Sequence, residues 1–330
     1  LTKRATIKSI AQDLGISHMT VSRALSNHPN VQKETRETVL KRARELGYVK
    51  NAAAKAMRGD ITGIVGLLLP NIVNEFYARF ANAMAHACDE NSYHLIIHLT
   101  NDDPEIEQQA LERLREVQAM AVAMVPTPGT SASDVNSFGS MKVIQLIRQT
   151  PIKVPSASIL INDHDAISNA VVELAKKGHT HIGYIGADTQ LSTGRARLSA
   201  FMDGIREAGL KSENQLIYTK SPSFKMGQES AKDICTQKKA TGLICGGFEI
   251  STGALSTLME NKLSPHTDVC FIGYGDPSFF EWLDGGISTV RLPVDRLAHE
   301  TIELIKPPWE EATASTTREK KFDADLIIRG

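Results

Sequence analysis

The chain has 330 residues, more than one hydrophobic core usually serves, so two or three domains are expected. An apolar fraction of 42% is ordinary for a globular protein, and no apolar run approaches the ~20 residues of a membrane span. The net charge of −1 is unevenly spread: residues 1–59 hold twelve Lys and Arg against four acids, and the remainder holds twenty-five against thirty-four. A basic head on an acidic body suggests a polyanion partner for the head alone, unless that face is simply solvated.

The N-terminus is polar and basic and shows no secretory signal. Cys88, Cys235, Cys245 and Cys270 are widely scattered with no CxxC spacing, which fits free thiols in a reducing, cytoplasmic setting better than disulfides or metal.

In chain order, Ile7, Ile10, Ala11 and Leu14 recur at helical spacing, with Thr6 as the cap and Gly15 as the stop. Ser17 caps a second helix after the short link "DLGIS", the turn of a helix-turn-helix. That helix buries Val21, Ala24 and Leu25 and leaves His18, Met19 and Ser22 exposed, with Arg23 one turn on. A third helix, about Lys33 to Leu46, offers Val39, Leu40, Ala43 and Leu46 to the same core. Such a second helix can enter a DNA major groove. Arg23 suits a bidentate contact to guanine, His18 can donate or accept, and Met19 can pack on a thymine methyl. Thr6, Ser17, Ser26 and Thr35 suit phosphate oxygens, which position without specifying. A generic three-helix bundle with a polar face is the competing reading. The Ala-rich stretch "GYVKNAAAKAMRGD" (47–60) is too short to be a stable helix alone and reads as a linker that is helical only when docked.

Beyond it the pattern alternates. Strands are expected at 62–70, 94–100, 119–126 and 142–148, with helices at 74–93 and 104–118 between them. The alternation restarts after about residue 162, with helix then strand in "NAVVELAKKGHTHIGYIGA", a helix in "RARLSAFMDGIREAGL", and strands in "ATGLICGG" and "DVCFIGYGD". This is the mark of parallel sheets covered by helices, an α/β body of two doubly wound lobes. A ligand cleft is expected between them, where strand C-terminal ends face each other. The polar segment 307–321 reads as a loop. No GxSxG, HExxH, Walker or GxGxxG spacing occurs, and His179 and His181 have no third ligand nearby, so no enzyme, cofactor or metal is indicated.

The stretch "TIKSIAQDLGISHMTVSRALSNHPNVQKETRETVLKRARELGYVKNAAAKAMRG" resembles the head and hinge of LacI/GalR-type bacterial repressors, with "TVSR", "TRE.V...A.ELGY" and "N..A..M" in register. The body is similar, less densely, to the periplasmic-binding-protein fold that this family shares. The resemblance implies a transcriptional repressor, a homodimer or a dimer of dimers on a pseudo-palindromic double-stranded operator, controlled by a small effector in the cleft. It implies base reading by His18, Met19 and Arg23, with Asn51 and Ala54 along the minor groove and Met57 as the intercalating wedge. Lys50 stands where Pro is common, and Gln32 where a capping Ser is common. The implied organisation is a head at 1–49, a hinge at 50–60, and a body at 61–330. Its first lobe would hold about 61–161 and 291–314, and its second about 162–290 and 315–330.

Effector contacts carried over from the family fall on Phe76, Tyr77, Arg148, Asp165, Arg197, Phe224, Phe248 and Asp276. Gly247 and Phe248 replace the usual Asn-Asp, and Gly275 replaces the first acid of "GFDD", so the effector is not expected to be held as a neutral hexose would be. Arg148 and Arg197 together could hold a sugar acid or a sugar phosphate. The competing readings are an interlobe or surface salt bridge for Arg148, plain core for Phe76 and a helix cap for Asp165. A solute-binding protein and a sugar-modifying enzyme are the alternatives for the whole chain. The basic head opposes the first and the missing catalytic motifs oppose the second.

Overall fold

The structure, a computed structural model, describes residues 5–48, 62–129, 137–237, 240–307 and 318–330. The chain divides into two compact units, Leu1–Ile61 and Thr62–Gly330.

The first unit holds three helices, α1 (Ile7–Leu14), α2 (His18–Leu25) and α3 (Lys33–Glu45). Thr6 and Ser9 close a reciprocal capping box at the start of α1, and Gly15 ends it in the left-handed region at φ 63°. Ser17 caps α2 by accepting from the Thr20 N–H. Ile10, Val21 and Val39 are fully buried, with Ala11, Ala24, Leu25, Val31 and Ala43 around them. Leu40, expected in this core, is exposed; it sits next to Val39, 100° around a helix that has only one buried face. Arg42 ties α3 to α1 through Asp13 at 2.6 Å, and Arg36 donates to the His28 and Val31 carbonyls, bracing the connection between α2 and α3. The hinge residues Lys50, Asn51, Ala54 and Met57 lie outside the described residues.

The second unit contains two six-stranded sheets. The first is built from β1 (Ile64–Leu69), β2 (His94–Leu99), β3 (Ala121–Met124), β4 (Lys142–Leu146), β5 (Ser156–Asn162) and β11 (Arg318–Asp323), in the order β11-β5-β4-β3-β1-β2, all parallel. The second uses β6 (Ile182–Ala187), β7 (Leu216–Lys220), β8 (Gly242–Gly246), β9 (Cys270–Tyr274), β10 (Ser288–Arg291) and β12 (Asp325–Ile327), in the order β12-β10-β9-β8-β6-β7. Only β12 runs antiparallel to its neighbour. The central strands are continuous runs of buried residues, as strands covered on both faces must be.

The covering helices are α4 (Glu75–Glu90), α5 (Pro104–Glu116), α6 (His164–Lys176), α7 (Ser192–Glu207), α8 (Phe224–Gln237), α9 (Phe248–Glu260) and α10 (Val294–Ile305). α4 shows the logic. Asn74 caps it by accepting from the Phe76 N–H, and Phe76, Phe80, Met84 and Cys88 recur every fourth residue as its buried stripe. The cysteines are free. Among the described residues no helix is long and apolar enough to cross a membrane, and no group of three His, Cys, Asp or Glu is placed to hold a metal.

The chain passes between the sheets three times: at Asp163, at Leu292–Pro293 and at Ala324. The last differs from the expectation near 315. β11 pairs with β5 from Arg318 to Asp323, so the first lobe keeps the chain to Asp323 and only β12 belongs to the second. "REKKFD" is a charged edge strand in which Phe322 is the buried residue, a composition that reads as loop.

Candidate functional site

In the head, helix α2 is divided as its sequence implied. Val21, Ala24 and Leu25 are buried, and His18, Met19 and Arg23 are exposed. Met19 is 53% exposed. Ser22 is half-buried beside them. The four proposed phosphate ligands differ. The Thr6 and Ser17 hydroxyls cap helices, Ser26 donates to the Ser22 and Arg23 carbonyls, and Thr35 is half-buried in the first turn of α3.

In the body, a cavity of about 110 Å³ opens where the two lobes meet. Five of the expected residues line it: Phe76, Tyr77, Arg148, Arg197 and Phe248. The first lobe adds Asn71, Asn74 and Asp102, and the second adds Thr193, Glu249 and Tyr274.

Arg197 projects from α7 and is 7% exposed. Its Nε donates to Asp163 Oδ2 at 2.6 Å, and one Nη donates to the Gly246 carbonyl at 3.1 Å. The guanidinium lies 4.1 Å from the centre of the Tyr274 ring. Tyr274 in turn donates its hydroxyl to the same Asp163 oxygen at 2.6 Å. Burial works against the Arg197 charge, but Tyr274 and Asp163 outweigh it and hold the group above its ordinary pKa. Burial pushes the Tyr274 hydroxyl well up, with Arg197 opposing, so the ring stays a neutral donor.

Arg148 is 7% exposed and donates to Asp102 Oδ1 at 2.7 Å. Its position comes from strain. Ile147 adopts φ 66°, which a β-branched residue rarely does, and the Arg148 N–H closes a three-residue turn onto the Leu146 carbonyl at 2.6 Å. Pairing of the Ile147 N–H with the Ile159 carbonyl holds this turn in place. Asn101 and Asp102 are also left-handed, at φ 52° and 55°, a conformation these two residue types tolerate best. Outliers of this kind cluster where a binding group must be held in a fixed place.

Asn71, in the loop after β1, donates to Glu249 Oε1 at 2.9 Å, so first and second lobes touch through the cavity wall. Ser278 donates its N–H to Glu75 at 3.1 Å, and the Gln149 N–H donates to the Ser192 hydroxyl at 3.3 Å, both also between lobes. Burial raises the Tyr77 hydroxyl's pKa. Arg148 and Arg197 oppose that rise while Asp102 and Glu249 add to it, which puts all four charges within reach of one hydroxyl.

Three expected residues do not reach the cavity. Asp165 has its side chain 86% exposed and pairs with His164; the acid that holds Arg197 is Asp163, two residues earlier. Asp276 is buried in a two-pronged pair with Arg329, at 2.5 and 3.1 Å. Phe224 is 45% exposed at the start of α8, and nearby Pro222 lines the cavity instead. The pairing of Arg148 and Arg197 on one anion is likewise not what the structure shows, since each already has its own carboxylate.

The two departures from the family pattern are one feature. A Cβ at Gly275 would lie 2.9 Å from the Phe248 ring, and Gly275 adopts φ 107°. The Phe248 ring therefore occupies the space that a side chain at 275 would need.

Residues 6–51 match the bacterial regulatory proteins of the lacI family, and residues 171–330 match the periplasmic-binding-protein-like domain. The HTH-type transcriptional regulator GalR of Escherichia coli (strain K12) is 26% identical over 91% of this chain and 88% of its own. The regulator RegA of Clostridium saccharobutylicum is 28% identical over 87% of each. A crystal structure of the lac repressor dimer bound to operator and the anti-inducer ONPF superposes with a TM-score of 0.83 at 16% identity, covering 99% of this chain and 98% of that one. The chain is a LacI-family DNA-binding transcriptional regulator. A stand-alone solute-binding protein is not favoured, because the lacI-type head is present.

Proposed function

We propose that the protein is a repressor working as a homodimer on a pseudo-palindromic operator, with its DNA occupancy set by a small polar molecule in the interlobe cleft. It acts in the cytoplasm, by binding and without catalysis. His18, Met19, Ser22 and Arg23 face base edges, with Thr6, Ser17, Ser26 and Thr35 toward phosphates. Asn51, Ala54 and Met57 fall to the minor groove. Phe76, Tyr77, Arg148, Arg197 and Phe248, with Asn71, Asp102, Glu249 and Tyr274, form the effector site.

The observation that carries this reading is the cavity built from both lobes and crossed by the Asn71–Glu249 hydrogen bond. A molecule seated there contacts both lobes at once. Its affinity therefore depends on how they are arranged, and by linkage it biases any DNA affinity coupled to that arrangement.

The test is operator selection from random duplexes with the full chain, followed by titration of the selected operator against a metabolite panel. The expected result is a palindromic site, a steep loss of affinity with salt, and a panel member that changes operator affinity about fivefold or more. Binding with no preference among duplexes, or ligand saturation with unchanged operator affinity, would remove the proposal.

A further inference from the structure

The charges of the cleft do not match an anionic effector. Arg148 is paired with Asp102 at 2.7 Å, and Arg197 with Asp163 at 2.6 Å. Both arginines are nearly buried, so these pairs are poorly screened by solvent. Glu249 is then a second carboxylate on the cavity wall, beside Asp102. Its Oε1 accepts one neutral hydrogen bond, from Asn71, and among the described residues no cation lies within salt-bridge distance of it. An anion entering here would meet two carboxylates, and the two arginines on the wall are already engaged by Asp102 and by the buried Asp163. A cation would meet the one carboxylate that lacks a counter-charge.

Glu249 occupies the first turn of α9, whose N-terminal N–H groups favour a negative charge there. That accounts for an acid in this turn. It does not account for the Asn71 bridge across the cleft or for the place of Glu249 on the cavity wall. The rings of Phe76, Tyr77, Phe248 and Tyr274 line the same space, and ring faces attract cations.

Resting on the cleft reading above, we infer that the effector is a small polyhydroxylated molecule carrying a protonated amine, which Glu249 binds while the Arg–Asp pairs and Asn71 serve its hydroxyls. The amine donates to the Glu249 carboxylate beside the Asn71 amide. Because Asn71 and Glu249 come from opposite lobes, the same contact reports on lobe closure. The Phe248–Gly275 pair supplies apolar surface where the family pattern places acids, which leaves Glu249 as the acid on that wall.

The experiment uses the full chain and four probes that share one ring: glucosamine, glucose, glucuronate and glucose 6-phosphate. Calorimetric binding is measured near neutral pH, with operator affinity measured in the same solutions. The amine is expected to bind roughly tenfold or more tighter than the neutral sugar, with both anions weaker still. Glu249→Gln keeps an acceptor for Asn71 and should remove the preference for the amine, read as the ratio of glucosamine to glucose affinity falling to about one. Glu249→Asp keeps the charge and should retain the preference.

A neutral or anionic probe that binds as tightly as the amine overturns the inference. If that probe also changes operator affinity, the cleft regulator survives without its amine. A preference for the amine that persists in Glu249→Gln also overturns it. No binding by any of the four removes the amine-bearing class and leaves the cleft reading to the wider panel. Saturation without change in operator affinity defeats the cleft reading itself.

Discussion

The head and the cleft solve the problem of holding functional side chains in opposite ways. In the head, every base-facing candidate lies on one eight-residue helix, and its caps and braces come from within a few residues: Thr20 to Ser17, and Ser26 to Ser22. In the cleft, the groups that touch are far apart in sequence. Arg197 reaches Asp163 across 34 positions, Tyr274 reaches the same acid across 111, and Asn71 reaches Glu249 across 178. A local site depends on helix propensity and capping. A nonlocal one exists only when the whole body has folded, so its charge pairs are also part of that body's stability.

The sharpest way to break this contrast is Asp163→Ala. It leaves Arg197 buried without its carboxylate and Tyr274 without its acceptor. Removing one member of a buried pair costs about 3–5 kcal/mol. Urea unfolding of the full chain should show that loss in the transition of the body while operator-contacting residues are untouched. A loss below about 1 kcal/mol would mean that water reaches the pair and that the cleft is not the stabilising unit described here.

Next in size is Gly275→Asp. The new side chain meets Phe248 at 2.9 Å and a backbone at φ 107°. Crowding and strain together should cost about 2–3 kcal/mol. Combining it with Phe248→Ala removes the clash, so the double variant should be more stable than the sum of the single losses implies, with a coupling of about 1–2 kcal/mol. Additive losses would show that the two positions depart from the family pattern independently.

The same contrast explains what the sequence made legible. The Thr6 cap, the left-handed Gly15 and the buried face of α2 follow from patterns within four residues, and they are where expected. The alternation of strands and helices was readable wherever strands were continuous apolar runs. It did not reach β5, β7, β10 or β11: β7 has no buried residue, and in β11 "REKKFD" is charged and only Phe322 is buried. In the cleft, Arg197, Arg148, Phe248, Phe76 and Tyr77 line the cavity, and strand ends and a family pattern point to them. Their acids are not marked in this way. Asp163 and Asp165 both stand in "NDHDA", and only the crossing of the chain at 163 decides which one is buried. Asp276 was expected at the effector, yet its partner Arg329 arrives from just beyond β12, 53 positions away. Glu249 sits one place beyond the positions that the pattern marks, so nothing in the sequence singles it out.

Returning to the head, Arg23→Ala should act on discrimination and not on folding, since Arg23 is exposed and α2 stays capped by Ser17. The expected loss is about 1–3 kcal/mol at one operator position, with random-sequence affinity nearly unchanged. Equal losses on operator and random DNA would reassign Arg23 to phosphate contact.

The smallest effect tests whether the head's stability is as local as its geometry. Gln32 is the N-cap of α3 and makes no side-chain cap hydrogen bond, at φ −56° and ψ 144°. The first turn of α3 therefore keeps orphan N–H groups that α1 and α2 have satisfied through Thr6 and Ser17. Gln32→Ser places a hydroxyl within reach of the third helical N–H and should stabilise the head by about 0.5–1 kcal/mol. Thermal unfolding should show a rise in the head transition with no change in that of the body. A shift in both would mean that the two units unfold together, and the division between a locally built reader and a nonlocally built cleft would then be one of sequence pattern alone.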